Sequence, residues 1–340
     1  MTTADRVSAN APRNVMIAAA FAAIYLIWGS TYLAIKYAIE TVPPFLMTGA
    51  RFLIAGGVLY AWSVFRPAPT PAATTASIPS AARAWRDAFI VGALLIVGGT
   101  ALVGWAELSV PSGVTSLILA TTPVWMVMLE SVSARRAPEP RVIAGVTVGL
   151  AGLAILIWPS LMAPGSGAHL LGVAALALAA LTWSAGGLYS RRAALPASAA
   201  RATGMQMLAG AVLSLLVGVS LGEHHELSLA AITPASLVAI GYLVVAGALV
   251  GFSAYLWLMR VSTPSRVATH AYVNPVVAVL LGWAVLGETF TARTAVAMGV
   301  IVVAVVLIVS APAAKRVSTP AGVTPPRRAG EPNRLARQAA

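Results

Sequence analysis

Long apolar stretches separated by short polar segments dominate the hydrophobic pattern of this 340-residue chain. A helix needs roughly 20 apolar residues to cross the hydrocarbon core of a bilayer. Windows of that length predict an all-α membrane protein with ten transmembrane helices, and most breaks between the windows carry a charge, a proline or a glycine. The predicted spans are 14–36, 44–65, 87–106, 111–130, 141–158, 168–189, 202–221, 234–258, 265–286 and 293–311.

Composition supports a lipid-facing surface. Hydrophobic residues make up 59% of the chain and charged residues only 9%, whereas a soluble domain has about a quarter of its residues charged. The chain has no cysteine, which excludes a disulfide framework, an iron–sulfur site and a cysteine-ligated zinc site. No cofactor is expected.

The first apolar stretch is predicted to be a membrane helix rather than a signal peptide. Arg6 and Arg13 precede it, and the small residues Ala18, Ala19 and Ala20 resemble a cleavage site. However, the stretch continues to about Ile35, which is too long for the apolar region of a signal peptide.

The net charge of +12 is distributed as in a membrane protein. With ten spans, the arginine clusters before helix 1, after helix 10 and in every second loop fall on one side, and acidic residues mark the other loops. Since Lys and Arg are enriched on the cytoplasmic side, both termini, including residues 1–13, are predicted to be cytoplasmic. Nucleic-acid binding is excluded because no basic patch is interleaved with stacking aromatics.

Two segments are predicted to be disordered. Residues 67–84 are rich in Pro, Ala, Thr and Ser, and residues 312–340 mix Pro, Gly and Arg with few apolar groups. Neither has enough apolar surface to fold. The basic tail either touches anionic lipid headgroups or is a solvated segment of the cytoplasmic side.

The two halves of the chain resemble each other at a separation of about 150 residues. The repeats are predicted to span 14–158 and 168–311. Five helices in each half place the second repeat upside down, an inverted arrangement common in secondary transporters, whose substrates bind near the midplane. The matched positions are Trp28 with Trp183, Trp105 with Trp257, Thr122-Pro123 with Asn274-Pro275, and Arg141 with Arg293.

Helix 1 carries a polar and aromatic face. Tyr25, Trp28, Tyr32 and Lys36 recur at spacings of three and four residues, so they share one side of a helix. This face either lines a cavity or packs against other helices, with Lys36 reaching the outer interface. Trp28 and Tyr32, nearer mid-depth, favour the cavity. Trp105 is either a cavity wall or part of an interfacial aromatic belt.

Helix 9 carries a second such face, formed by Arg266, His270 and Asn274. Pro275 lacks an N–H, which frees a carbonyl and can kink the helix. His270 is predicted either to bind substrate or carry a proton, or to be a hydrogen-bonded structural residue, which the sequence favours.

Arg51 lies about a third of the way into helix 2. A buried arginine needs a partner, and Glu40, Glu107 or a helix-end carbonyl are the predicted candidates. An outer-half salt bridge is favoured over binding of a substrate carboxylate.

Several catalytic sites are excluded. Neither Lys36 nor Lys315 belongs to a nucleotide-binding Gly-Lys-Ser/Thr loop. The segment His224-His225-Glu226 does not have the spacing of a zinc protease, and there is no G-x-S-x-G elbow. The chain is therefore not expected to be an enzyme, and it binds no metal through these motifs.

These residues resemble the EamA-type ten-helix members of the drug/metabolite transporter superfamily, nearest the branch of inner-membrane amino-acid and metabolite exporters. The resemblance covers roughly residues 14–311. It implies a central cavity lined mainly by helices 1, 3, 4, 6, 8 and 9, and alternating access. The matching segments are Tyr25-Leu26-Ile27-Trp28-Gly29-Ser30-Thr31-Tyr32, Arg51-Phe52, Val110-Pro111-Ser112-Gly113, Thr122-Pro123, Ala271-Tyr272-Val273-Asn274-Pro275-Val276-Val277-Ala278 and Leu286-Gly287-Glu288.

The expected function is therefore export of amino acids or related small metabolites across the inner membrane, by a protein that can act as a monomer in the bilayer. Broad drug efflux is the near alternative, and a channel or a non-transporting scaffold is the alternative from another class. Pro123 and Pro275 are the candidate hinges. The candidate substrate-binding residues are Trp28, Tyr32, Lys36, Trp105, Thr122, Trp183, Tyr189, Tyr255, His270 and Asn274.

Overall fold

The computed structural model describes residues 3–65, 80–110, 115, 118–162, 170–286 and 291–311. Within these ranges the chain forms helices joined by short turns, and no strand occurs. The predicted tail 312–340 and most of the predicted linker lie outside the described residues.

The main helices are numbered here in chain order. The first five are α1 (Thr3–Ile39), α2 (Pro44–Phe65), α3 (Ala81–Ala106), α4 (Thr122–Ala134) and α5 (Pro140–Met162). The others are α6 (Leu170–Ser190), α7 (Ala199–Ser220), α8 (Pro234–Val261), α9 (Pro264–Ala268 and His270–Leu286) and α10 (Ala292–Ser310).

Every predicted span overlaps one of these helices. In the described part of the chain, six of them (α1, α2, α3, α6, α7 and α8) are long and apolar enough to cross a membrane. The total of ten crossings therefore stays a prediction.

The prediction that the disordered linker extends to residue 84 is wrong. Helix α3 begins at Ala81 instead of near residue 87, because the Ser80 hydroxyl accepts a hydrogen bond from the Arg83 backbone N–H and caps the helix.

Two helices widen at corresponding places. Helix α3 is π-helical over Ala93–Ala101, and α8 is π-helical over Leu243–Phe252. These segments lie about 150 residues apart, which is the separation of the sequence repeat. Such turns are rare and often mark functional sites.

The packing of the helices repeats when the two halves are exchanged. Helix α2 packs on its counterpart α7, and α5 packs on its counterpart α10. The contact of α1 with α9 has its equivalent in that of α6 with α4, and the contact of α1 with α8 corresponds to that of α6 with α3. A two-repeat architecture follows, with α1, α3, α4, α6, α8 and α9 around the centre.

Candidate functional site

A central cavity with a volume of about 110 Å³ lies between the two halves. Its mostly apolar wall with a few polar groups is typical of a small-molecule site. Its walls come from α1, α3, α4, α6, α8 and α9, as the resemblance implies, and also from α2. The α1 residues in the wall run from Trp28 to Ile35, and the α2 residues are Arg51 and Phe52. The cavity therefore lies between mid-bundle and the end that carries the turn joining α1 to α2.

The structure brings six predicted site residues to this cavity: Trp28, Tyr32, Thr122, Trp183, His270 and Asn274. Their helices are far apart in sequence, so the fold, not local spacing, collects them. That they bind substrate stays a prediction.

A cluster of aromatic rings closes the mid-bundle end of the cavity. We call this cluster, formed by Trp28, Trp183, Tyr255 and His270, the floor. Trp28 contacts Trp183, Tyr255 and His270, with ring centroids 5.3, 5.3 and 5.0 Å away. The Trp183 and Tyr255 centroids are 5.0 Å apart. Tyr255 is fully buried behind these rings and does not itself line the cavity. Edge-to-face and tilted pairs at such distances are favourable, so the floor is a cohesive barrier shared by both halves.

Each floor tryptophan lies against a glycine of a π-helical segment in the other half. A Cβ atom on Gly251 would lie 2.5 Å from Trp28 Nε1, and one on Gly99 would lie 2.6 Å from Trp183 Cε3. Only glycine allows this approach.

The two tryptophans differ in their hydrogen bonds. Trp28 Nε1 donates to the Gly247 carbonyl at 3.3 Å. Trp183 Nε1 is buried and donates to no backbone carbonyl in the described part of the chain; its side chain interacts with the Tyr255 hydroxyl instead. The carbonyl of Leu95, at the position that corresponds to Gly247, accepts instead from Thr100 Oγ1 at 2.9 Å.

The two predicted hinge prolines break the wall helices in different ways. Pro123 lies in the first turn of α4, whereas Pro275 lies inside α9. A proline cannot donate to the carbonyl four residues earlier. The carbonyl of Leu119 accepts from the Thr122 hydroxyl instead, and the corresponding carbonyl of Ala271 loses its helical donor.

Several polar groups of the wall are buried without a hydrogen-bond partner among the described residues: Arg51 Nε, both ring nitrogens of His270, and Asn274 Oδ1. The Tyr32 hydroxyl interacts with the Asn274 side chain but leaves that oxygen free. The hydrogen-bonded structural role favoured for His270 is therefore not what the structure shows. Unsatisfied buried polar groups are costly and point to a missing partner.

Arg51 is the residue that sequence reasoning misjudged. It is 5% exposed, and in the described ranges the single ion pair joins Arg86 to Asp87. The salt bridge favoured for Arg51 is therefore absent there. The sequence already argued against a salt bridge within α2, because no acidic residue lies one helical turn from Arg51 in that helix.

Glu107, one of the predicted partners of Arg51, forms no ion pair with it in the structure described. Both of its carboxylate oxygens are buried without a hydrogen-bond partner in the part of the chain described. Burial raises the pKa of Glu107 to about 8, and the Lys36 ammonium opposes this rise. Burial therefore favours the neutral form of this carboxyl.

Three predicted site residues lie away from the cavity. Lys36 belongs to the predicted face of α1, but its side chain is exposed beyond Ile35, the last wall residue of that helix. Trp105 lies beyond the wall residues of α3. Tyr189 donates to Asp87 Oδ1 at 3.1 Å, near the opposite end of the bundle. Periodicity selects a face of a helix but does not limit how far along it a cavity extends.

Contacts between the halves close that opposite end. The buried Asp87 of α3 accepts hydrogen bonds from the Ala194 N–H at 2.6 Å and from Tyr189. Arg192 donates to the Ser133 hydroxyl, and Ser265 donates to Glu130 at 3.3 Å.

The arrangement suits reversible binding. The wall offers aromatic faces, one guanidinium and free hydrogen-bonding groups. In the described residues, no group of three or more His, Asp or Glu side chains could hold a metal ion.

Comparisons with known proteins agree with this architecture. The sequence profile of the EamA-like transporter family matches residues 15–158 and again residues 170–310. The chain is 34% identical over 292 residues to YedA, an uncharacterized inner membrane transporter of Escherichia coli K12, covering 84% of this chain and 88% of that protein. It is 22% identical over 284 residues to protein PecM of Dickeya dadantii, covering 83% and 88% of the two chains.

A crystal structure with 22% sequence identity superposes with a TM-score of 0.67 and covers 86% of this chain and 95% of the other, which supports the fold alone. Two matched copies and a relative of this identity decide the classification: the chain belongs to the EamA-like transporter family.

Proposed function

We propose that this protein is a secondary transporter that exports amino acids or related small metabolites across the inner membrane by alternating access. In this proposal it crosses the bilayer ten times as an inverted five-plus-five repeat, with both termini in the cytoplasm. The repeats span 14–158 and 168–311, and the basic residues 312–340 follow as a cytoplasmic tail.

The observation that carries the proposal is the position of the cavity. It lies between the two repeats, beside the breaks in α4 and α9, and it ends on the aromatic floor. Binding sites of inverted-repeat transporters lie at such an interface. A channel needs a continuous path, and the rings of the floor stand across it.

The position of the hydrogen bonds that join the two halves supports alternating access. The bundle end beyond the floor is joined by Asp87 with Ala194 and by Arg192 with Ser133. With both termini in the cytoplasm this is the cytoplasmic end, so the structure corresponds to a state closed on that side. Breaking these contacts while closing the other end would expose the same cavity to the cytoplasm.

Drug efflux stays the second candidate because much of the wall is apolar, including Ile35, Phe52, Val103, Leu119 and Phe252. Amino acids and similar metabolites suit the polar groups better. Arg51, His270 and Asn274 would be left unsatisfied by a purely apolar cargo.

Counterflow in proteoliposomes tests the carrier mechanism. Liposomes loaded with an unlabelled amino acid from a panel are expected to accelerate uptake of the same labelled amino acid. Uptake that neither saturates nor responds to the internal load would indicate a channel and contradict the proposal.

The predicted binding residues are tested in the same assay. Replacing Trp28, Tyr32 and Asn274 together by alanine is expected to lower counterflow at least tenfold, because aromatic contact area and polar contacts to the substrate are lost. Trp158→Ala, at an exposed position of α5, is the matched control and is expected to keep wild-type flux. Unchanged flux in the folded triple variant would show that the cavity is not the site.

A further inference from the structure

Arg51 is a buried cation for which the described residues offer no counter-charge. It is 5% exposed, its Nε has no hydrogen-bond partner, and no carboxylate lies within ion-pair distance of it in the described chain. Its guanidinium carbon lies 4.8 Å from the centroid of the Phe52 ring. Leaving a charge unpaired inside a membrane protein is expensive, so such residues mark binding pathways by default.

The wall around Arg51 adds no negative charge. None of the side chains that line the cavity is acidic, and Glu107, which the sequence suggests as a partner, is not among them. A cavity with low-dielectric walls and a single sign of charge concentrates ions of the opposite sign. The cavity therefore selects against organic cations and in favour of anionic groups.

We propose that Arg51 binds the carboxylate of the transported substrate, so that the cargo is a small carboxylic acid with an apolar or aromatic body, α-amino acids included. This inference rests on the proposed transport function and narrows its substrate class. A carboxylate accepts two parallel hydrogen bonds from a guanidinium, and its charge would compensate the buried cation.

The rest of the wall favours a carboxylate over a phosphate. A phosphate monoester carries close to two negative charges at neutral pH, whereas Arg51 supplies one positive charge. The second charge would lie against Ile35, Phe52 and Phe252, which cannot solvate it. The same apolar side chains suit the body of an apolar acid, and Asn274 Oδ1 is free to accept from an N–H of the substrate.

A binding assay on the purified full-length protein tests this inference without transport. The probes are two matched pairs: L-phenylalanine with L-phenylalaninamide, and 3-phenylpropanoate with 3-phenylpropanamide. Ligands that bind the folded state raise the unfolding temperature. Each acid is expected to stabilise the wild type at concentrations roughly tenfold or more below those of its amide, as expected for a hydrogen bond to a charged group.

Variants assign that preference to Arg51. Arg51→Gln is expected to abolish most of the difference between acid and amide, and Arg51→Lys to keep part of it, because lysine keeps the charge but loses the planar fork. Arg293→Gln, an exposed arginine at the start of α10, is the control and is expected to keep the full preference. Equal stabilisation by acid and amide in the wild type, or no stabilisation by either acid, overturns the inference even if Arg51→Gln does not fold.

Counterflow with the same probes separates this inference from the proposed function. If the acids bind through Arg51 but give no counterflow, the carboxylate site stands and the carrier mechanism fails. If acid and amide give equal counterflow, and Arg51→Gln transports both as well as the wild type, the carrier stands and the carboxylate site is wrong.

Discussion

Trp28 and Trp183 show what single residues contribute to the floor of the cavity. Each ring fits only because the facing position in the other half, Gly251 or Gly99, lacks a side chain. Core packing is dense, so even one added carbon forces side chains out of their preferred rotamers. The small residue is therefore as necessary to the floor as the large one.

Gly251→Ala is expected to destabilise the protein by about 1–3 kcal/mol and to reduce counterflow, because the new methyl group displaces Trp28 from the Gly247 carbonyl. Thermal unfolding in detergent and counterflow measure the two effects. Gly241→Ala in the same helix has no atom within 4 Å of the added Cβ and is the control. Equal behaviour of the two variants would show that Trp28 does not need this contact.

At the scale of elements, the cavity is built from irregular helices. Helices α3 and α8 widen into π-helical turns, α4 starts at Thr122 beside Pro123, and α9 is interrupted at Thr269 and contains Pro275. Backbone groups outside regular helical bonding are tolerated in a membrane only where they face protein or a cavity. The irregular segments of all four helices contribute wall residues, which fits that rule.

Pro275→Ala restores an N–H that can donate to the Ala271 carbonyl and removes the ring that disturbs the preceding turn. We expect α9 to straighten, the unfolding temperature to stay or rise, and counterflow to fall several-fold. Pro234→Ala, at the exposed first turn of α8, is the matched control, because a proline there replaces no helical bond. Full transport by Pro275→Ala would exclude a hinge role for this residue.

At the scale of the whole molecule, the two ends are joined by corresponding but unequal contacts. At one end Asp87 of α3 accepts from the Ala194 N–H, after α6. At the other end, Ser236 of α8 accepts from the Thr41 hydroxyl at 2.8 Å, after α1. Asp87 corresponds to Ser236, and Thr41 corresponds to Ala194, because the members of each pair lie about 150 residues apart, which is the separation of the repeat. Hydrogen bonds to a charged group are roughly twice as strong as neutral ones, so the Asp87 contact is stronger than the Thr41 contact. The Glu223 carboxylate adds hydrogen bonds from the Phe45 and Leu46 N–H groups at the Thr41 end.

Asp87→Asn is therefore expected to shift the population toward opening at that end. The chain has no native cysteine, so a single cysteine in place of the fully buried Ala268 reports accessibility there, and one in place of Ala38 reports on the other end. We expect faster maleimide labelling at residue 268 only. Arg83→Ala, at an exposed position one helical turn before Asp87, is the control, and equal acceleration at both reporters would indicate general loosening instead.

Much of the fold is predictable from the sequence because lipid imposes a simple rule on it. Apolar length predicts where helices lie, and the repeat of about 150 residues predicts the two halves that the family match confirms. The sequence also singles out six cavity residues, since aromatic and polar side chains inside apolar helices are rare enough to be noticed.

What only the tertiary structure decides is which partners each residue meets. Spacing along α1 cannot place Lys36 outside the cavity. No local pattern shows that, among the residues the structure describes, Arg51 meets no acid and both nitrogens of His270 lack a hydrogen-bond partner. The hydrophobic pattern records how much of a helix is apolar, which is a property of each segment alone. Pairing, burial and the free space between helices depend on residues from distant parts of the chain, so they exist only once the two halves have packed together.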